Sequence, residues 1–203
     1  MKIRILLPVV LLLSTLSALA KDPPKPAIPA EFQNAATFCD QEYALCIKAK
    51  CTKPGKGEKM VPCVCDVING WSMGPGDCAS RAPVTGKDGQ THIVSTYANL
   101  YNTKERTLSC PSGTVWAWCY GAKCVVDPKD PKTATCNCPV QVAKDLGSRT
   151  LGGDCHNDAC REVWSAATPA EDKFANDYYF WYMWKNKLKP PALPPAKDCP
   201  ARP

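Results

Sequence analysis

Two stretches of the chain carry the period-two pattern of half-buried strands. They are residues 60–68, Met-Val-Pro-Cys-Val-Cys-Asp-Val-Ile, and residues 133–142, Thr-Ala-Thr-Cys-Asn-Cys-Pro-Val-Gln-Val. Ahead of each lies a turn-forming cluster, Lys53-Pro54-Gly55-Lys56-Gly57-Glu58 in one case and Asp127-Pro128-Lys129-Asp130-Pro131-Lys132 in the other. Ahead of each turn is another alternating or β-branched segment, residues 43–52 and 115–126. The pattern predicts two hairpins. A further turn signal, Thr85-Gly86-Lys87-Asp88-Gly89-Gln90, precedes a strand expected at 91–97.

Helical signals are fewer. Thr168-Pro169-Ala170-Glu171 is a capping box with proline at the first helical position, opening a helix expected to reach about residue 188. Its expected apolar face is Phe174, Tyr178, Trp181, Trp184 and Leu188, with Asp177 and Lys185 toward the edges. Residues 29–40 contain Ala30, Glu31, Phe32, Gln33, Ala35 and Ala36, which suit a short helix.

The cysteines repeat with the hairpins. Cys39, Cys46, Cys51, Cys63, Cys65 and Cys78 form one set; Cys110, Cys119, Cys124, Cys136, Cys138 and Cys155 form the other. Three consecutive gaps agree, and so do the flanks: Ala49-Lys50-Cys51 matches Ala122-Lys123-Cys124, and Gly76-Asp77-Cys78 matches Gly153-Asp154-Cys155. Internal duplication accounts for this agreement. In a strand both sulfurs of a Cys-x-Cys emerge on one side, and each needs its own partner, because a bridge within the motif would strain the disulfide geometry. The expected partners are the cysteines of the preceding strand and the two outer cysteines of the same unit. Cys160 and Cys199 remain, and pair most simply with each other, tying the tail back to the body.

The resulting expectation is a small disulfide-rich, mainly β protein: two related six-cysteine hairpin units plus a C-terminal α-helix. Residues 1–20 read as a signal peptide, with Lys2 and Arg4 ahead of an apolar run and small residues ending at Ala20. A Pro-rich linker follows at 21–29, the first cysteine unit at 30–82, a connection at 83–106, the second unit at 107–160, the aromatic helix at 161–188 and a Pro-rich tail at 189–203. All 14 cysteines lie beyond residue 20, so an oxidising compartment, periplasmic or extracellular, is expected.

Charge and motifs then narrow the chemistry. Net charge falls from +6 to +4 without Lys2 and Arg4, a mild basic excess that calls for no nucleic acid. Clustered thiols could ligate zinc or copper, but in an exported chain with two histidines, His92 and His156, disulfides are expected instead, with no metal and no cofactor. Cys-x-x-Cys and Gly-x-Ser-x-Gly are both absent, so neither a redox motif nor a serine nucleophile elbow is present. Asp77 and Asp154 read as turn caps and not as an acid–base pair. No catalytic residue is assigned.

Two surfaces stand out for binding. Lys53, Lys56 and Lys59 make the first turn basic and suited to an anionic surface. Trp181 and Trp184 belong to a run of seven large residues, 178–184, that cannot all point inward from one helix; a partner protein, a self-dimer or a membrane surface are the alternatives to packing between the units. The expected function is a non-catalytic secreted binding protein of unknown ligand. The alternatives are a small carbohydrate-directed hydrolase using the tryptophans, a structural envelope component, or a protease inhibitor presenting Lys56 or Arg81.

Overall fold

The computed structural model describes residues 36–47, 49–98, 107–110, 112–143, 149–151 and 162–189. The expected signal peptide, the linker, Asp154, Cys155, His156, Cys160 and Cys199 lie outside these residues.

Among the described residues the fold is mainly antiparallel β, with one long helix. The elements run β1 (Thr37–Leu45), β2 (Lys50–Cys51), β3 (Met60–Gly74), α1 (Cys78–Arg81), β4 (Val84–Thr85), β5 (Thr91–Val94), β6 (Thr107–Ser109), β7 (Val115–Ala117), β8 (Lys123–Val126), β9 (Thr133–Val142), β10 (Arg149–Leu151), β11 (Val163–Trp164) and α2 (Pro169–Lys185). The main sheet has the order β11-β2-β3-β9-β8-β5-β4, with β1 also pairing β3 and β7 also pairing β9. β6 and β10 form a separate two-stranded sheet.

The two hairpins form where expected, and their alternation explains the core. Val61, Cys63 and Cys65 are buried while Met60, Pro62 and Val64 are exposed; Ala134, Cys136 and Cys138 are buried while Thr135 and Asn137 are exposed. Each Cys-x-Cys therefore sends both sulfurs inward to separate partners: Cys63 to Cys51, Cys65 to Cys46, Cys136 to Cys124 and Cys138 to Cys119. The outer pair of the first set, Cys39 and Cys78, bond to each other. Cys110 is also in a disulfide.

The expected continuous strands 43–52 and 115–126 are each broken. Ala49 N–H donates to the Cys46 carbonyl and Ala122 N–H to the Cys119 carbonyl, both at 2.9 Å, so the ladder is interrupted after β1 and after β7. The interruption carries Cys46 and Cys119 into the interior, which an unbroken strand would not do. The helix expected over 29–40 is also corrected at its described end, because residues 37–40 open β1, whose register runs from Thr37 opposite Gly74 to Leu45 opposite Asp66. Nine ladder positions against β3 outweigh the modest helix preference of a few residues.

Several paired positions share one offset in residue number. Glu42, Tyr43 and Ala44 lie opposite Asn69, Ile68 and Val67; adding 73 to each number gives the pairs Val115–Val142, Trp116–Gln141 and Ala117–Val140. Cys51 opposite Cys63 likewise becomes Cys124 opposite Cys136.

The strands that follow each hairpin cross over. β5 comes after the first hairpin but pairs with β8 of the second, placing Ile93 opposite Cys124. β11 comes after the second hairpin but pairs with β2 of the first, placing Val163 opposite Cys51. Ser95 N–H donates to the Ala122 carbonyl and Ser165 N–H to the Ala49 carbonyl, each at 2.8 Å, so the two exchanged strands are held alike.

Two cores result. One is built of cystines and small residues, with Ala44, Val61, Ile93, Ala117, Ala134 and Val163 around eight half-cystines. The other is aromatic and lies under α2, where Tyr178, Tyr179 and Met183 pack on Phe38, Tyr43, Leu45 and Met73. Phe38 stacks face to face on Tyr182 and meets Tyr178 edge-on.

Candidate functional site

α2 is fixed at both ends of its working face. Thr168 accepts the Glu171 N–H at 3.3 Å, and the Glu171 carboxylate accepts the Thr168 N–H at 2.9 Å, completing the capping box that the sequence announces. Further along, the Tyr179 hydroxyl donates to the Trp71 carbonyl at 3.0 Å, and the Tyr97 hydroxyl donates to Asn176 Oδ1 at 2.9 Å. Burial raises the pKa of Tyr179, and burial followed by the charge of Asp172 raises that of Tyr97, so both phenols stay protonated donors.

Between the first turns of α2 and the cystine core lies a half-open cavity of about 270 Å³. Cys46 and Cys119, with Ser95 and Ser165, contribute to it from the two halves. Its apolar wall includes Tyr97, Trp118, Tyr120, Phe174, Met73 and Ile47, and four alanines leave the space open: Ala36, Ala166, Ala167 and Ala175. The charged residues lining it are Glu171 and Asp172, side by side on the first turn of the helix.

Positions 73 apart contribute different side chains to the lining. Ile47 corresponds to Tyr120 under the displacement of 73, and the backbone N–H groups of Thr96 and Ala166 donate to the carbonyls of Ala44 and Ala117, both at 3.1 Å. Burial and the neighbouring Tyr178 raise the Tyr120 hydroxyl to a pKa of about 12 against the opposing pull of Arg81, leaving it neutral at ordinary pH.

Behind this wall sits Arg81, buried to 2% exposure. Its guanidinium donates to the Thr37 carbonyl at 2.8 Å and to the Cys39 sulfur, tying α1 to β1 beside the Cys39–Cys78 bridge. Gly74 makes room for it, since a Cβ there would strike the Arg81 guanidinium and the Thr96 methyl. Arg81 is therefore a packing clamp and not the exposed residue that an inhibitor loop needs. Asp77 is a helix cap, accepting the Ser80 N–H at 2.7 Å.

The residues singled out from sequence lie apart from the cavity. Lys53, Lys56 and Lys59 are exposed on the first hairpin turn, where the Gly55 N–H donates to Glu58 at 2.7 Å. Trp181 is half-buried under Lys185, whose ammonium lies 4.5 Å from its ring centre, and Trp184 is 51% exposed. The expected apolar face holds in part: Tyr178 is buried and Phe174, Trp181 and Leu188 pack against the aromatic cluster around Phe38 and Tyr43, while Trp184 is exposed and the deepest positions include Tyr179 and Met183, which lie outside that face. His92 is a surface residue 3.4 Å from Asp88.

Sulfur triads within metal-ligand reach of one another do occur, Cys46–Cys65–Cys136 and Cys51–Cys63–Cys119. Every member is half of a disulfide and offers no thiolate. Five disulfides among the described residues match an oxidising, extracellular or periplasmic setting, and no helix among them is long and apolar enough to cross a membrane.

No protein-family model, no curated protein and no solved structure matches this chain. Function must be argued from the site.

Proposed function

We propose that the protein is a non-catalytic secreted binding protein, exported by residues 1–20, and that its ligand seat is the cavity beneath α2. The observation that carries this reading is the cavity's lining. Aromatic and small apolar side chains from the sheet segments and the helix converge on a half-open space at the edge of the cystine core. Preformed, mostly apolar concavities with a few placed polar groups are the usual form of a small-molecule site. Trp181 and Trp184, around which a carbohydrate-directed hydrolase would be built, do not line it.

We also read the two halves as copies of one unit, extended to include the strand after each hairpin. The common displacement of paired residues supports this, as does the reciprocal crossing of β5 and β11. Duplication explains how a ligand seat arises at the meeting of two similar halves: each supplies the same backbone frame, and divergence such as Ile47 against Tyr120 shapes the space.

The test is titration with N-phenyl-1-naphthylamine, an uncharged aromatic dye, followed by its emission and by quenching of tryptophan. Saturable one-to-one binding is expected. Ala175→Phe, which pushes a ring into the cavity, should abolish binding while the thermal midpoint stays near that of the parent. Absence of saturable binding to the parent, or unaltered binding to the variant, would overturn the proposal.

The basic turn supports a separate contact. Lys53, Lys56 and Lys59 have no carboxylate partner among the described residues, whereas Lys50 is taken by Glu162 at 2.7 Å. Neutralising all three should lower retention on an anionic polymer at low salt and leave dye binding unchanged.

A further inference from the structure

We infer that the Cys46–Cys65 bridge is a site of thiol exchange: a small thiol reaching it through the cavity opens it, and the freed Cys46 passes the exchange to the Cys124–Cys136 bridge of the second hairpin. This holds whether or not the cavity is a ligand seat. The placement of the sulfurs is the starting point. Cys46 lines the cavity, whereas Cys124 and Cys136 are 1% and 0% exposed and are not among its lining residues. Yet the two bridges touch. Cys46 Sγ lies 3.5 Å from Cys136 Sγ, at van der Waals contact. Cys65 Sγ completes a triad whose members all lie within 4.8 Å of one another.

The surroundings of Cys46 suit it to be the attacking sulfur. The Ser95 hydroxyl donates to Cys46 Sγ at 3.1 Å, and Ser95 also lines the cavity. A hydrogen bond to the charged form of a group favours that form. The same hydroxyl therefore stabilises a thiolate released at Cys46. Freedom to move differs as well. Cys136 stands in the middle of β9, opposite Cys63 of β3 on one side and Cys124 of β8 on the other. Cys46 lies outside any strand, between the end of β1 at Leu45 and the start of β2 at Lys50. Once its bridge is open, Cys46 is the sulfur that can turn toward its neighbour.

The exchange balances with a small dithiol as the reductant. One thiolate of the dithiol attacks Cys46 Sγ: a mixed disulfide forms, the Cys46–Cys65 bond breaks, and Cys65 leaves as a thiolate. The second arm of the dithiol, losing its proton, closes on the first. That step forms a cyclic disulfide, breaks the mixed one and releases Cys46 as a thiolate. Cys46 then attacks Cys136 Sγ, so that a Cys46–Cys136 bond forms, the Cys124–Cys136 bond breaks, and Cys124 departs with the electron pair. The two protons given up by the dithiol end on Cys65 and Cys124. The dithiol is oxidised by two electrons, and the protein has one bridge fewer. Its β9 is then tied to the residue that follows β1.

The test treats the full chain with graded amounts of dithiothreitol at about pH 8, where thiols begin to ionise. Samples are blocked over time with N-ethylmaleimide and mapped without further reduction. A Cys46–Cys136 peptide with label on Cys65 and Cys124 is expected to grow in after label on Cys46 and Cys65. Opening of Cys46–Cys65 with no Cys46–Cys136 peptide at any time overturns the relay. Label on Cys124 in molecules whose Cys46–Cys65 bridge is intact overturns the entry route. Cys65→Ala isolates the second step without a reductant: on raising the pH from about 5 to about 8, part of the label should move from Cys46 to Cys124. Label that stays wholly on Cys46 overturns the proposal. Adding Ser95→Ala should slow that movement by about tenfold, and an unchanged rate overturns the part given to Ser95. Should Cys65→Ala fold poorly, the mapping of the parent decides.

Discussion

Cys63 and Cys136 lie directly opposite each other on adjacent strands β3 and β9, yet each is bonded outward to the strand on its other side. A displacement of 73 carries one onto the other, and this pair is where the first hairpin's long strand meets the second's. The row continues without a break: Val163, Cys51, Cys63, Cys136, Cys124 and Ile93 stand opposite one another across six strands. The Thr52 N–H donates to the Pro62 carbonyl, which makes Cys51 and Cys63 a non-hydrogen-bonded pair, the close type of cross-strand site whose short spacing a disulfide can span.

Removing either bridge of that row should cost the same. Both close loops of equal span, with a sequence separation of 12. Cys51→Ala/Cys63→Ala and Cys124→Ala/Cys136→Ala are each expected to lose about 3 kcal/mol of stability, measured by chemical denaturation. Peptide mapping of the unreduced parent should yield these two bridges and no Cys63–Cys136 link.

Asp77 gives the stability an acid-dependent component. The Ser80 backbone N–H, helped by the Ser80 side chain, holds its carboxyl below the ordinary value of 3.8. Because the folded pKa lies below the unfolded one, the contribution is complete above the unfolded value and is lost as pH falls through the folded value. Asp77→Asn keeps an acceptor for Ser80 but no charge. Below pH 4 its unfolding free energy should fall less steeply than that of the parent.

The two sides of α2 should respond oppositely to truncation. Tyr179 is fully buried and bonded to the Trp71 carbonyl, so Tyr179→Ala is expected to lose about 3–5 kcal/mol. Trp184 is half exposed, and Trp184→Ala should stay within about 1 kcal/mol of the parent. Equal losses would mean that the buried stripe of the helix is the one centred on Trp181 and Trp184.

Local pattern determined much of this molecule. Period-two alternation in residues 60–66 and 133–138 sends each Cys-x-Cys inward, because a strand has two faces and neighbouring residues must alternate between them. The box Thr168–Glu171 starts α2 because four orphan N–H groups need acceptors wherever a helix begins. Gly89, at a φ of +76°, closes the turn before β5 as the glycine there indicates.

What periodicity does not carry is the choice of partner. Residues 91–94 alternate as a strand whichever edge they join; that β5 crosses to β8, and β11 to β2, depends on which edges remain open once both hairpins have formed. That Tyr179 and Met183 are the deepest of the helix beside Tyr178, and Trp184 the exposed one, was settled by the aromatic cluster that receives α2, since a helix aromatic on nearly every side has no single face to prefer. The cavity follows from both choices. Its lining comes from segments far apart in the chain, and its volume is what packing leaves between them, a quantity that no single stretch of sequence contains.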